Sequence, residues 1–398
     1  MGNTAIEQIL KGVAGENVTV KPDYVVVNDG QGHKALDLVE RGIVNRDHII
    51  LFFDHDVPTG TSEAAAVVGK LERFSQEYGI RYIQAKGTGY QVMLDEFVKP
   101  GDIIISAGKH NSIYGARGAL GLNVNVEQLA HVMMKGTFDI QIPQSVKVAV
   151  KGRLQGAASA IDAFITFLGN TVLENFSGRA LEFTGEGMDS MTGPQRETFL
   201  SMVAQTGAVT AFYQKEARGQ YAKELEFDLS QVVPAAALPS TLDTYKPTYD
   251  YKPISQLEGI KLNQGYIGGY TGGRIEDLRL AAKLFEGKHI AWGFRLCISP
   301  VTSDVYLQAM DEGLLDIFID FGAQIIAPGE HGINRQGAGV VGHGEKEITT
   351  GSYNYPGCLG CEDAEIYIAS TASVAAAALT GTIAQPDQAG QPAVCGKE

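Results

Sequence analysis

At 398 residues, with 44% hydrophobic and 20% charged side chains, the chain is long enough to build two or three lobes around large cores. A formal net charge of −14, from 46 acidic and 32 basic residues, argues against nucleic acid and anionic membrane surfaces as partners. No run approaches the roughly 18–20 uninterrupted apolar residues of a membrane span. The N-terminus, MGNTAIEQILKGVAGENV, lacks the apolar core of a signal peptide. Four cysteines (Cys297, Cys358, Cys361 and Cys395) in so long a chain do not make a disulfide framework, so a cytoplasmic protein is expected. The 48 glycines are well above the roughly 7% of average usage and sit in short clusters between apolar runs. That is the texture of an α/β enzyme whose loops carry its sites.

In chain order, Thr4–Leu10 reads as a short amphipathic helix, and Tyr24-VVVND as a buried strand followed by a glycine turn at Gly30–Gly32. Ala35–Arg41 reads as a helix, and His48-IILFFDHDVPTG as a strand running into a polar turn. Ser62–Tyr78 is a helix with Val67, Val68, Leu71 and Phe74 on one face. Ile80-RYIQAKGTGYQV and Asp102-IIISAGKHNS read as two more strands. In an open α/β sheet, ligands gather at the C-terminal ends of strands. Asp54, His55, Tyr90, Gln91, Lys109 and His110 are therefore expected neighbours. The chain then reads as helical through His131, strand at Ser145-VKVAVKGRL, helix at Ala160–Leu168, strand at Ala180-LEFTGEG and helix at Arg196–Gly207. Asp228–Tyr251, rich in Pro, Thr and Ser, reads as an interlobe linker. The last third reads as the strand Ile290-AWGFRLCI, the helix Asp304–Glu312, the strand Ala323-QIIAP, a long glycine loop and a buried helix over Ile366-YIASTASVAAAALTG.

The stretch Gln264–Gly273, QGYIGGYTGG, carries five glycines and reads as too flexible to be a core element. It runs on into a helix whose Ile275, Leu278, Ala281, Ala282 and Phe285 recur at helical spacing. A glycine loop opening a helix presents unpaired N–H groups and the positive end of the helix dipole, so a carboxylate or phosphate is expected there, with a plain strand-to-helix turn as the alternative.

The phrase IGGYTGGRIEDLR resembles the loop I-G-S-C-T-N-G-R-x-x-D-L of the aconitase and isopropylmalate dehydratase large-subunit superfamily. In that family the Cys holds one iron of a [4Fe–4S] cluster; here the position is Tyr270. FFDHDVPT resembles M-D-H-N-V-P-T, and GTGYQV resembles G-I-x-H-Q-V with Tyr90 at the His position and Gln91 kept. AGKHNSIYGARGALG resembles G-D-S-H-T-x-T-H-G-A-x-G-A-L, with His110 at or beside the second histidine and Lys109 where the family has Asp. FTGEGMDSMTGPQRETFLSMVAQTGA, ISPVTSDVYLQAMDEGLLDIFIDFGAQIIAPG and ASTASVAAAALTG are similar to further family segments, in order and over nearly the whole chain. The family's P-G-C-x-x-C gives way to Pro328-Gly329-Glu330, with Ile333 three further on. Its R-N-F-x-G-R corresponds to Tyr353-Asn-Tyr-Pro-Gly-Cys358, so both arginines are missing. Cys358 and Cys361 fall elsewhere in the alignment.

The resemblance implies an aconitase-type three-lobed α/β/α architecture around a central cleft, without the family's separate swivel domain. The lobes are expected over residues 1–125, 126–235 and 253–398. It also implies a hydro-lyase or isomerase acting on a small hydroxy or unsaturated carboxylic acid, with a non-catalytic scaffold that partners a small swivel-domain subunit as the alternative. The expected catalytic residues are His55, oriented by Asp54, with His110 or Tyr270 as the complementary proton donor. Asn28, Gln91, Lys109, Thr271 and Arg274 are the expected substrate-binding residues. No cofactor is expected in place of the cluster, unless Glu330 and His331 contribute to a site for a single divalent metal.

Overall fold

The structure is a computed structural model that describes residues 3–241, 250–333 and 336–386. The chain divides into two compact units, one of Met1–His55, Thr61–Leu154 and Thr171–Gln231, the other of Asp56–Gly60, Gln155–Asn170 and Val232–Glu398. Among the described residues no helix is long and apolar enough to cross a membrane.

The first unit holds a five-stranded parallel sheet in the order 81–84, 49–53, 24–28, 103–106, 120–123. Its central strands, Tyr24–Asn28, Ile49–Phe53 and Ile103–Ser106, are short β-branched runs buried along most or all of their length, as strands covered on both faces require. The chain builds outward from Tyr24–Asn28 in one direction and then restarts at Ile103–Ser106 in the other. The strand order therefore reverses between these two, and a crevice opens at their C-terminal ends. A second parallel sheet, in the order 210–213, 179–184, 144–151, 223–228, lies in the same unit. Ala180 and Phe212 of this sheet pack into one core with Val25, Val27, Leu51, Ile105 and Leu122 of the other. This shared core is the physical reason that residues expected in two lobes form a single unit.

The second unit holds a seven-stranded sheet in the order 251–253, 235–237, 365–369, 346–349, 264–268, 295–299, 324–325. Its last five strands are parallel. Here too the order reverses, between Gln264–Gly268 and Lys346–Thr349.

Several elements differ from their sequence expectations. Gln264–Gly268 is a fully buried central strand and not a flexible loop. Its glycines are packing glycines: a Cβ on Gly265 would lie 3.0 Å from Phe294 and 3.1 Å from Val374. Ile366-YIA is strand, within Glu365–Ala369, because it pairs on both sides; the helix begins only at Thr371. GTGYQV opens the helix Gly89–Glu96 and does not extend the strand Arg81–Gln84. The helix Ala160–Asn170, expected in the second lobe, belongs to the second unit, where the buried Asp162 carboxylate accepts the Ala235 N–H at 2.9 Å. The expected linker contributes the strand Ala235–Ala237, and residues 242–249 of it lie outside the described residues.

One glycine sets how closely the segment Asn111–Arg117 approaches the strand Thr210–Tyr213 of the second sheet. A Cβ on Gly115 would lie 1.7 Å from the Ala211 carbonyl oxygen, a backbone atom that cannot swing away. Gly115→Ala is expected to cost at least the ~1–3 kcal/mol typical of overpacking, read as a lower melting temperature by calorimetry. An unchanged melting temperature would show that the segment does not need this approach.

Candidate active site

Asp29 follows the strand Tyr24–Asn28 at the reversal point. It is buried, and its Oδ1 accepts the backbone N–H groups of Asp54 (2.9 Å) and His55 (3.0 Å), so the end of one strand is tied to the turn leaving the next. Asp54 is also buried. Its Oδ2 accepts the Gly89 N–H at 2.6 Å, and its Oδ1 accepts the His55 Nδ1–H at 2.7 Å. The His55 ring lies directly over Gly30, where a Cβ would be 2.8 Å from both Cδ2 and Nε2, so a side chain at position 30 would displace it. Nδ1 faces the two carboxylates, with Asp29 Oδ1 at 3.5 Å, and the side chain keeps 19% of its surface exposed.

Burial opposes charge on His55, but the Asp54 and Asp29 carboxylates outweigh it and hold the imidazole well above its ordinary value. Asp54 itself is pushed up by burial, against the pull of His55. The carboxylates thus favour the charged form of His55, with its Nδ1 proton committed to them.

His110 lies at the C-terminal end of the neighbouring strand, Ile103–Ser106, and has the opposite electrostatics. Its Nδ1–H donates to the Ser201 carbonyl at 2.9 Å, which fixes the neutral tautomer with Nε2 as an acceptor. Burial lowers it to about 4, helped by the charges of Lys109 and His55. The Tyr90 ring stands edge-on to it, with centroids 6.1 Å apart, and the Tyr90 hydroxyl accepts the His110 backbone N–H at 3.3 Å. Against the expected proton-donor role, burial holds His110 toward its neutral form, with Nδ1–H donated to Ser201.

The other residues expected in this region are partly structural. Asn28 Oδ1 accepts the N–H groups of Gln31 and Gly32 and so builds the turn that carries Asp29 and Gly30. Gln91 donates to Asp95 within its own helix, at 3.0 Å. Lys109 is exposed. Asp29 was not singled out from sequence. Its signal is a carboxylate directly after a buried strand and before a glycine, which acquires meaning only once the strand order is known.

In the second unit, the turn after Gln264–Gly268 sits at that sheet's own reversal point. Gly269–Gly272 forms a four-residue helix, and Tyr270 is 1% exposed with its hydroxyl 2.7 Å from Ser352 Oγ. Thr271 donates to the Thr350 carbonyl at 2.6 Å, and the Gly268 N–H donates to Thr350 Oγ1 at 3.0 Å. The Gly273 N–H is bonded to the Gly269 carbonyl and the Arg274 N–H to Asp277, whose carboxyl burial raises to about 6. These bonds stitch the turn to Thr350–Ser352. They leave it less of an open anion cradle than its glycines suggest. Arg274 is buried at the N-cap of Ile275–Phe285.

Glu330 is buried beside Gly269 and accepts the Gly332 N–H at 3.2 Å; His331 donates its Nε2–H to the Ala327 carbonyl at 2.9 Å. Tyr266, not anticipated from sequence, is buried next to Glu330; burial first, and that carboxylate second, push its hydroxyl well up. Among the described residues, two groups of three ligand-type side chains have their atoms within 4.8 Å of one another: Asp29, Asp54 and His55, and His343, Cys361 and Asp363. Glu330 and His331 belong to neither.

An iron–sulfur cluster needs thiolates, and the turn offers a phenol, a carboxylate and the hydrocarbon of Ile333. Cys297 is in the buried strand Arg295–Ser299, raised to about 11 by burial and Glu347, and Cys358 is packed in a small core with Val341, Tyr355, Leu359 and Ile366. Cys395 lies outside the described residues. The residues around Tyr270 do not fit a [4Fe–4S] cluster.

Two sheets whose parallel strands reverse their order, each with polar residues at its reversal point, define an α/β protein. A model of the Aconitase family (aconitate hydratase) matches residues 33–219 and 211–381. The chain is 30% identical over 418 residues to 3-isopropylmalate dehydratase large subunit 2 of Archaeoglobus fulgidus, covering 97% of this chain and 99% of that protein. It is also 30% identical over 416 residues to the homoaconitase large subunit of Thermus thermophilus, covering 98% of each. In fold it is similar to the holo-form of Thermococcus kodakaraensis aconitase X, with a TM-score of 0.53 at 14% identity, over 87% of this chain and 89% of that one. The chain belongs to the aconitase family.

Two outcomes are expected. In an NMR titration His55 should change charge well above the usual histidine range, and Asp54→Asn should bring it down. A His55 that titrates normally in the parent protein would remove the carboxylate clamp from the argument. Protein prepared anaerobically should be colourless and hold no stoichiometric inorganic sulfide; a brown preparation would overturn the reading of the Tyr270 turn.

Proposed function

We propose that this chain is a cluster-free enzyme of the aconitase family, a hydro-lyase or isomerase acting on a small hydroxy or unsaturated carboxylic acid. The observation that carries the proposal is the pair of histidines in the first unit whose surroundings drive their protonation apart. When two titratable groups are pushed in opposite directions, their acid and base roles follow. In dehydration, His55 Nε2–H protonates the departing hydroxyl, which leaves as water. His110 Nε2 takes the proton from the adjacent carbon, and that C–H electron pair becomes the new double bond. Hydration runs the same steps backwards. Asp54 and Asp29 orient His55 and keep it charged.

The relatives are named large subunits. We propose a separate small swivel-domain subunit as partner of this chain too. A second reading, a non-catalytic subunit that keeps the fold and binds the small one, is favoured by a different observation. Tyr353 and Cys358 stand where the resemblance places the substrate-gripping arginines.

The readings are separated by incubating the protein, alone and with any co-purifying small subunit, with a panel of hydroxy acids in deuterated water. Deuterium entering a carbon-bound position next to a carboxylate supports the enzyme; no exchange with any acid supports the scaffold. Once a substrate is found, His55→Ala and His110→Ala should each lower turnover by the ~10²–10⁴-fold typical of general acid–base groups. The pH dependence has a definite sign. Activity should fall on the acid side as His110 protonates, near its value of about 4, and on the alkaline side as His55 loses its proton, above the usual histidine range. Asp54→Asn should move only the alkaline limb, and downward.

A further inference from the structure

We propose that His343, Cys361 and Asp363 form a binding site for a divalent transition-metal ion of the zinc class, at the N-terminal edge of the seven-stranded sheet. The three side chains offer a ring nitrogen, a thiol sulfur and a carboxylate oxygen, all within 4.8 Å of one another. His343 Nδ1 is 3.1 Å from Asp363 Oδ1. A tetrahedral zinc ion with bonds of about 2.0–2.3 Å holds its ligand atoms roughly 3–4 Å apart, so only small side-chain rotations separate this arrangement from a ligated one. Nitrogen, sulfur and oxygen together suit zinc or cobalt(II) and not the all-oxygen preference of calcium or magnesium.

The backbone presents these ligands in register. His343 precedes the strand Lys346–Thr349, and Cys361 and Asp363 precede Glu365–Ala369. These two strands are parallel neighbours, with Lys346 opposite Glu365. Just before the ligands Val341 bridges Gly360, the Cys361 N–H donates to the Val341 carbonyl at 3.2 Å, and just beyond them the Glu365 N–H donates to the Glu345 carbonyl at 3.0 Å. The His343 turn is held by Glu345, which accepts the Gly342 N–H at 2.7 Å and pairs with Arg295. Neighbouring parallel strands thus carry one turn each, and the two turns face one another by construction. His343 keeps 88% of its side-chain surface exposed and Cys361 is half-buried, so an ion can enter and a fourth position stays open to water. The site lies at the opposite strand ends from the Tyr270 turn of the same sheet, and it does not depend on the hydro-lyase reading.

Cobalt(II) titration of the full chain, in a Cys395→Ser background that removes the tail thiol, tests the proposal directly. One equivalent should produce the near-ultraviolet thiolate-to-cobalt band together with visible tetrahedral bands. About one proton should be released as the Cys361 thiol becomes a thiolate, and zinc should displace the colour. Cys361→Ser should abolish the ultraviolet band. His343→Ala and Asp363→Ala, at exposed positions that leave the fold intact, should each weaken binding by at least the roughly 10–100-fold that an outer-shell partner costs. No thiolate band, a band that survives Cys361→Ser, or one that disappears only with Cys297→Ser or Cys358→Ser would overturn the proposal.

Discussion

The Asp29 carboxylate, accepting backbone N–H groups from the turn that leaves the next strand, is the interaction on which the first unit's chemistry depends. It is possible because Tyr24–Asn28 and Ile49–Phe53 are parallel neighbours, with Asn28 opposite Phe52, so that their C-terminal ends lie side by side. Once Asp29 holds that turn, Asp54 is sealed below it on the Gly89 N–H. The His55 ring is then left one orientation, over Gly30 and against two carboxylates. Moving any one of these groups leaves a buried carboxylate without its partners, which is costly in a low-dielectric interior.

Two histidines a few strands apart can differ so strongly because burial and partner act in different combinations. Both are largely desolvated, which disfavours charge on either. At His55 the two carboxylates override that cost. At His110 the Ser201 carbonyl binds the Nδ1 proton present in both charge states, so desolvation prevails and the charges on Lys109 and His55 add to it. The asymmetry is a property of the surroundings and not of the residue type.

The second unit repeats the winding with a different solution at its reversal point. There the contacts are made by hydroxyls and backbone: Thr350 bridges to Gly268, Tyr270 meets Ser352, and Thr271 reaches the Thr350 carbonyl. Such close approach needs glycine. A Cβ on Gly272 would lie 2.4 Å from Thr350, and one on Gly268 would meet the Tyr266 hydroxyl at 2.4 Å. The glycines of this stretch serve packing between neighbouring strand ends, which explains why a segment so rich in them is buried throughout.

The sequence by itself determined the α/β class, most strand and helix centres, the adjacency of Asp54 and His55, and the replacement of cysteine by Tyr270 and Glu330. Each of these is local: periodicity, β-branching and residue identity are readable within a few positions. Only the tertiary structure decided that Gln264–Gly268 and Ile366-YIA are strands, because glycine density and apolar runs take their meaning from what lies on either side. Only it brought in Asp29, whose partners are 25 and 26 positions away. It also joined Ala160–Asn170 to the second unit through Asp162 and Ala235, 73 positions apart, and merged two expected lobes around one core. The protonation of the two histidines belongs with these, since charge in an interior is set by which dipoles and carboxylates the fold assembles around it.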